Sequence, residues 1–193
     1  MILKKYSILT QSGADLNLND RKILNYLLYL RQTQNSKNQT YFTSIGEIKK
    51  YLQIKHNNRG LLQSLQNLKE KILKTNILLK EKETPHKDVK ILSYLQQNGD
   101  YSIEFRFSKE IENLSTANNL YSNINLNDTI NFKSKYSLIL YELLNDYKRI
   151  SKLPTITIED FKIIMGADYD NFSLINEKIL KYCSDKNARS EER

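Results

Sequence analysis

Between residues 20 and 107, three stretches with the apolar spacing of helices give way to stretches that alternate, and few folds accept that order of periods. The first stretch, Asp20 to Arg31, repeats Ile23, Leu24, Leu27, Leu28 and Leu30 as one buried stripe, with Asn19 or Asp20 as its cap. A short extended piece at Tyr41-Phe42 precedes the second, in which Ile45, Ile48 and Leu52 share a face. Glu47 follows Ser44 at the spacing of a capping box. The third starts near Asn57 and sets Leu61, Leu62, Leu65, Leu68, Ile72 and Leu73 on one side over about four to five turns. The period then shortens. Ile77 to Lys82 and Val89 to Leu95 flank a turn at Glu83 to Asp88, which is a hairpin pattern, and Tyr101 to Phe107 alternates behind the turn residues Gln97-Asn98-Gly99-Asp100. Three helices followed by a basic hairpin predict a winged helix over residues 1–113.

Residues 114–131, rich in Asn, Ser and Thr, read as a loose connection. Helical spacing returns beyond it. Tyr136, Ile139, Leu140, Leu143, Leu144 and Tyr147 line one helix; Thr157 with Glu159-Asp160 opens a second that stops at Gly166; a third from Tyr169 carries Phe172, Ile175, Ile179 and Tyr182. After Cys183 the chain is polar, without strand periodicity. The fold class expected is therefore α+β and helix-rich, with two tandem winged-helix domains. The second, over residues 132–193, lacks a recognisable wing.

Charge separates the two parts. Residues 1–107 hold 18 Lys and Arg against 9 Asp and Glu, a balance of +9, whereas residues 108–193 hold 12 against 13, a balance of −1. A cationic front half attracts phosphate polyanions, DNA or RNA alike; the competing reading is an ordinary solvated surface. No apolar run approaches the roughly 18 residues of a membrane span, and Met1 to Lys5 lacks a signal-like apolar stretch, so no membrane and a cytoplasmic location are expected. Cys183 is the only cysteine, which leaves no internal disulfide and no multi-cysteine zinc site; neither a metal nor a cofactor is expected.

The segment Phe132-Lys133-Ser134-Lys135-Tyr136-Ser137-Leu138-Ile139-Leu140-Tyr141-Glu142-Leu143-Leu144 resembles the opening of the second unit in the Rep initiators of theta-replicating plasmids. Weaker matches lie at Leu18 to Tyr29 and Gly99 to Phe107, and the resemblance runs from about Leu16 to Tyr182. It implies tandem winged helices that bind repeated origin sequences, called iterons, in double-stranded DNA. It further implies help in opening the origin, recruitment of host replication proteins, and repression of the protein's own gene as a homodimer in equilibrium with monomer. A plain winged-helix repressor without initiation activity shares the fold.

A helix reads the major groove with the side opposite its core stripe. In the third helical stretch that side offers Arg59, Gln63 and Asn67, flanked by Gln66 and Lys74; a merely solvated face is the alternative. Lys55, His56, Asn57 and Asn58 stand where a helix N-terminus favours phosphate, although His56 reads equally as a surface histidine. Lys80, Lys82, His86, Lys87 and Lys90 would lay the hairpin along phosphates, or simply discourage edge pairing. Lys133, Ser134 and Lys135 could converge on one phosphate, or Ser134 could be a plain cap. The last helix offers Ser173 and Lys181 among acidic neighbours. An enzyme that nicks DNA is not expected: 13 tyrosines are present, but the two histidines, His56 and His86, are 30 positions apart, and the 5 glycines form no phosphate loop.

Overall fold

The computed structural model describes residues 1–55, 58–75, 87–99, 101–115, 120–148, 155–169 and 171–181, the side chains of 172, 180 and 181 excepted. Strand β1 (Ile2–Tyr6) runs into one helical turn, α1 (Ser7–Thr10), and then into the long α2 (Leu18–Gln34). The cap of α2 is Asn17, in place of the expected Asn19 or Asp20. Asn17 Oδ1 accepts from the Asp20 amide at 2.9 Å and Asp20 Oδ2 accepts from the Asn17 amide at 3.2 Å, so Asp20 is the far member of a capping box. Strand β2 (Tyr41–Ser44) and helix α3 (Ile45–Leu52) follow, with the predicted Ser44–Glu47 box formed at 3.1 and 2.9 Å.

Helix α4 (Asn58–Glu70) ends before the expected point. Ile72 and Leu73 belong to strand β3 (Ile72–Thr75), where exposed and buried residues alternate and Lys74 exchanges two backbone hydrogen bonds with Gly13 at 2.8 and 3.0 Å. Their spacing happens to continue the helical stripe, and pairing with residues remote in sequence, Lys87 to Lys90 on one side and Gly13 on the other, decides for a strand. Strand β4 (Lys87–Lys90) pairs antiparallel with β3; the expected strand Ile77 to Lys82 lies outside the described residues. The stretch Val89 to Leu95, read as one strand, is divided at the buried Ile91, beyond which β5 (Leu92–Asn98) joins β6 (Ser102–Phe107) in a different sheet. That sheet has the order β2-β6-β5, the winged-helix arrangement, with Phe105 and Ile103 of the middle strand buried. The basic hairpin β3-β4 is consequently an insertion ahead of β5, and the wing proper is the β5-β6 turn, where Gly99 adopts φ 63°.

The expected loose connection is largely ordered. After α5 (Lys109–Leu114) come β7 (Tyr121–Asn125), paired antiparallel with all of β1, and α6 (Leu126–Ile130). Ser122, Ile124, Leu126 and Thr129 are buried there. The pairing partner lies some hundred residues earlier, which local composition does not reveal.

Helix α7 (Lys135–Tyr147) has two working faces. Ile139 joins Ile164, Met165, Ile175 and Ile179 in a second core formed with α8 (Ile158–Met165) and α9 (Phe172–Ile175), the latter running on as a π-helical turn to Lys181. The other face turns back to the first unit. Glu142, 3% exposed, accepts from Lys5 Nζ at 2.6 Å and Asn25 Nδ2 at 2.5 Å, and Asp146 accepts from Ser7 Oγ and Gln11 Nε2 at 2.7 and 2.9 Å. Leu144, expected in the buried stripe, is therefore 47% exposed, while Leu138 and Glu142 are buried. Thr157 caps α8 and Gly166 ends it with φ 56°, both as predicted. The end of α8 meets the first unit at backbone distance: a Cβ on Gly13 would fall 2.0 Å from the Ile163 carbonyl oxygen, and one on Gly166 2.6 Å from that of Ala14. The tail from 182 to 193, and with it any second wing, lies outside the described residues.

Removing one partner of a buried ion pair strands the other, at a cost of about 3–5 kcal/mol. Glu142→Ala should lose about that much stability in urea unfolding, and Glu142→Leu combined with Lys5→Met should recover most of it. A loss under about 1 kcal/mol for Glu142→Ala would show that the network contributes no more than a surface pair.

Candidate nucleic-acid interface

Helix α4 separates its residues cleanly. Leu61, Ser64, Leu65 and Leu68 are buried, and Arg59, Gln63 and Gln66 are exposed on the opposite side. The helix packs along β5 and α2, so its polar face projects away from the sheet. Cations stand at its N-terminal end: half-buried Lys49 and exposed Lys50 close α3, exposed Lys55 stands in the intervening turn, and exposed Arg59 opens α4. Lys49 Nζ donates to Asn58 Oδ1 at 3.1 Å, which ties the end of α3 to the start of α4. The acidic residue of α4, Glu70, lies at the far end and accepts from Gln66 at 2.5 Å. Cationic side chains and the positive end of the helix dipole thus coincide, a combination that attracts phosphate.

Asn67 differs from its neighbours. Half-buried, it donates through Nδ2 to Asp20 Oδ2 at 3.1 Å and accepts from Gln63 Nε2 at 3.1 Å, which fastens α4 to the capping box of α2. Of the residues expected to read bases, Arg59, Gln63 and Gln66 remain on the open face. Lys74 is not on this helix: it lies exposed on β3, opposite Asp88.

Lys87 and Lys90 are exposed on β4, opposite Thr75 and Ile72, so among its described residues the basic hairpin keeps its cations in solvent although it is not the wing. Asn57, His56, Lys80, Lys82 and His86 lie outside the described residues. The wing turn exposes Gln96, Gln97, Asn98 and Tyr101, the last at 69%. This turn is legible in the sequence, but without cations it offers no sign of a phosphate contact. Lys49 and Lys50, missed as well, are signalled by their place in the last turn of a short helix.

The group Lys133, Ser134 and Lys135 is split. Ser134 Oγ caps α7 by accepting from the Tyr136 amide at 3.2 Å, and Lys135 Nζ donates to the Gly166 carbonyl at 2.8 Å, 5.1 Å from the Tyr136 ring centre. Burial pushes the Lys135 ammonium below its usual pKa, and Lys133 alone stays exposed. Ser173 is exposed on α9, and the Lys181 side chain lies outside the described residues. A cleft of about 700 Å³ between Gly13 to Asp15, β3 and α8 brings Lys71, Lys74 and Lys162 together with Asp15, Glu159 and Asp168. Three charges of each sign, with Lys71 bonded to Asp15 at 2.9 Å, make it a poor anion site. Among the described residues no group of His, Cys, Asp and Glu could hold a metal, and no helix is long and apolar enough to cross a membrane.

A family model described as "Initiator Replication protein, WH1" matches residues 2–145, from β1 into α7. The fold is similar to that of the solved structure titled "Crystal structure of Pi initiator protein in complex with iteron DNA", with a TM-score of 0.62 and 15% identity over 94% of this chain and 83% of that one. No curated protein matches.

Asn67→Ala removes a hydrogen bond that holds the helix in place. It should lower unfolding stability by about 1 kcal/mol and leave base preference in a binding-site selection unchanged. A changed preference at one position would make Asn67 a reader instead.

Proposed function

This chain belongs to the initiator replication protein family, and from that premise we propose that it binds iteron repeats in double-stranded DNA through its amino-terminal winged helix. The observation that carries the reading is the open face of α4. Arg59 offers a fork suited to guanine O6 and N7, and Gln63 and Gln66 offer amides suited to adenine N6 and N7, beside a cationic end made by Lys49, Lys50 and Lys55. Phosphates flanking the groove would meet Lys87 and Lys90 of the inserted hairpin. The solved neighbour whose title names iteron DNA supports the same partner. We further propose that the protein represses its own gene as a dimer in equilibrium with monomer, recruits host replication proteins, and works in the cytoplasm without catalysis. The second unit, residues 132–193, would bring Lys133 and Ser173 to the same duplex.

Footprinting on DNA flanking the gene tests this. Protection should fall on several direct repeats, whereas protection of one inverted repeat alone would indicate a repressor that does not initiate. Arg59→Ala should cost roughly 1–3 kcal/mol at one base position, and Lys87→Ala should weaken all duplexes alike and reduce the salt slope by about 1. Equal effects of the two substitutions on every sequence would remove α4 as the reader.

A further inference from the structure

Two glutamines in the last turn of α2 perform the same unusual task on two different sheets. Gln34 Oε1 accepts from the Phe42 amide at 2.9 Å and its Nε2 donates to the Phe42 carbonyl at 2.5 Å. Gln32 Oε1 accepts from the Lys4 amide at 3.1 Å and its Nε2 donates to the Lys4 carbonyl. Phe42 lies on β2, an edge of the β2-β6-β5 sheet, and Lys4 on β1, an edge of the β1-β7 pair. A primary amide carries one acceptor and one donor side by side, so each glutamine reproduces what an added strand would present to that residue.

An unguarded edge is a template for another chain, and β2 is a dangerous one. Residues 38–46, Asn-Gln-Thr-Tyr-Phe-Thr-Ser-Ile-Gly, hold no charge and no proline, and Phe42 is 52% exposed. Aromatic and β-branched residues, zero charge and an exposed apolar side chain are the sequence signature of intermolecular strand pairing. The natural occupant is the β2 strand of a second copy, because an antiparallel pair about Phe42 is self-complementary and needs no charge matching. We propose that Gln34 is a guard that closes the β2 edge against strand addition by another copy of this chain, with Gln32 doing the same on β1. Its side chain must leave before a second β2 can pair, so the two events compete for one amide and one carbonyl.

The test is sedimentation velocity of the full chain over a range of concentrations, with thermal unfolding followed in parallel. Gln34→Ala should strengthen self-association over wild type by roughly tenfold or more, the equilibrium equivalent of about two net hydrogen bonds. Adding Phe42→Pro should abolish that gain, because proline has no amide hydrogen to pair and an edge strand tolerates it where its N–H points outward. Phe42→Lys, a charged edge residue, serves if the proline variant does not fold. Gln34→Glu, which can still accept from Phe42 but cannot donate to it, should fall between. Unchanged association of Gln34→Ala overturns the proposal. So does a gain that neither Phe42 substitution reverses, which would mark simple destabilisation.

Discussion

The buried polar cluster of Lys5, Asn25 and Glu142 is the constraint on which the rest of the molecule rests. Three side chains from β1, α2 and α7, none more than 6% exposed, satisfy one another at 2.5 to 3.0 Å. Charges removed from water this way are tolerated only when fully paired, so the three elements must meet in one geometry. Around this point α2 bonds every layer. Arg21 donates to the Ala14 carbonyl, Lys22 to the carbonyls of Ile130 and Phe132, and Arg31 to Glu112. Burial holds the Arg21 guanidinium down to about 10. Tyr26 stacks on Tyr51 with ring centres 4.7 Å apart.

The candidate interface inherits its geometry from that helix. Asn67 fixes α4 to the N-terminal box of α2, and α3 is held against α2 by the Tyr26–Tyr51 stack. The cationic ends of α3 and α4 are therefore presented by a rigid frame, which limits the entropy lost when a duplex is engaged. On the other side, Glu142 and Asp146 of α7 tie the second core to the same frame, and the glycine seam at Gly13 and Gly166 brings backbone against backbone.

Most local chemistry was legible in the sequence, the Asn17 cap of α2 excepted, and non-local chemistry was not. The Ser44–Glu47 box, the Thr157 cap and the Gly166 stop depend on residues within one helical turn, and each stands as read. The outward face of α4 follows from its leucine stripe by subtraction. Ile72 and Leu73 mislead because their spacing fits both a helix and a strand, and the choice is made by β4 and Gly13, both remote in sequence. The β1-β7 pair escapes notice for the same reason: its strands are short, and β7 lies in the connection, remote in sequence from β1. The buried roles of Glu142 and Asn25 leave no local mark, since nothing nearby in sequence announces that Lys5, 137 positions from Glu142, will neutralise that carboxylate. Asn67 and Lys135 share that fate: each is chemically suited to DNA and is engaged within the fold.

We propose the polar ridge of α4 and the lysines at its head as the surface that meets DNA. NMR titration of the labelled protein with a duplex carrying its footprinted repeat addresses it directly. The backbone amides of Lys49, Lys50, Arg59, Gln63 and Gln66 should shift first and furthest, with Lys87 and Lys90 following and fading as salt rises. Large shifts elsewhere, with those of α4 unmoved, would place the duplex on another surface and remove α4 from the interface.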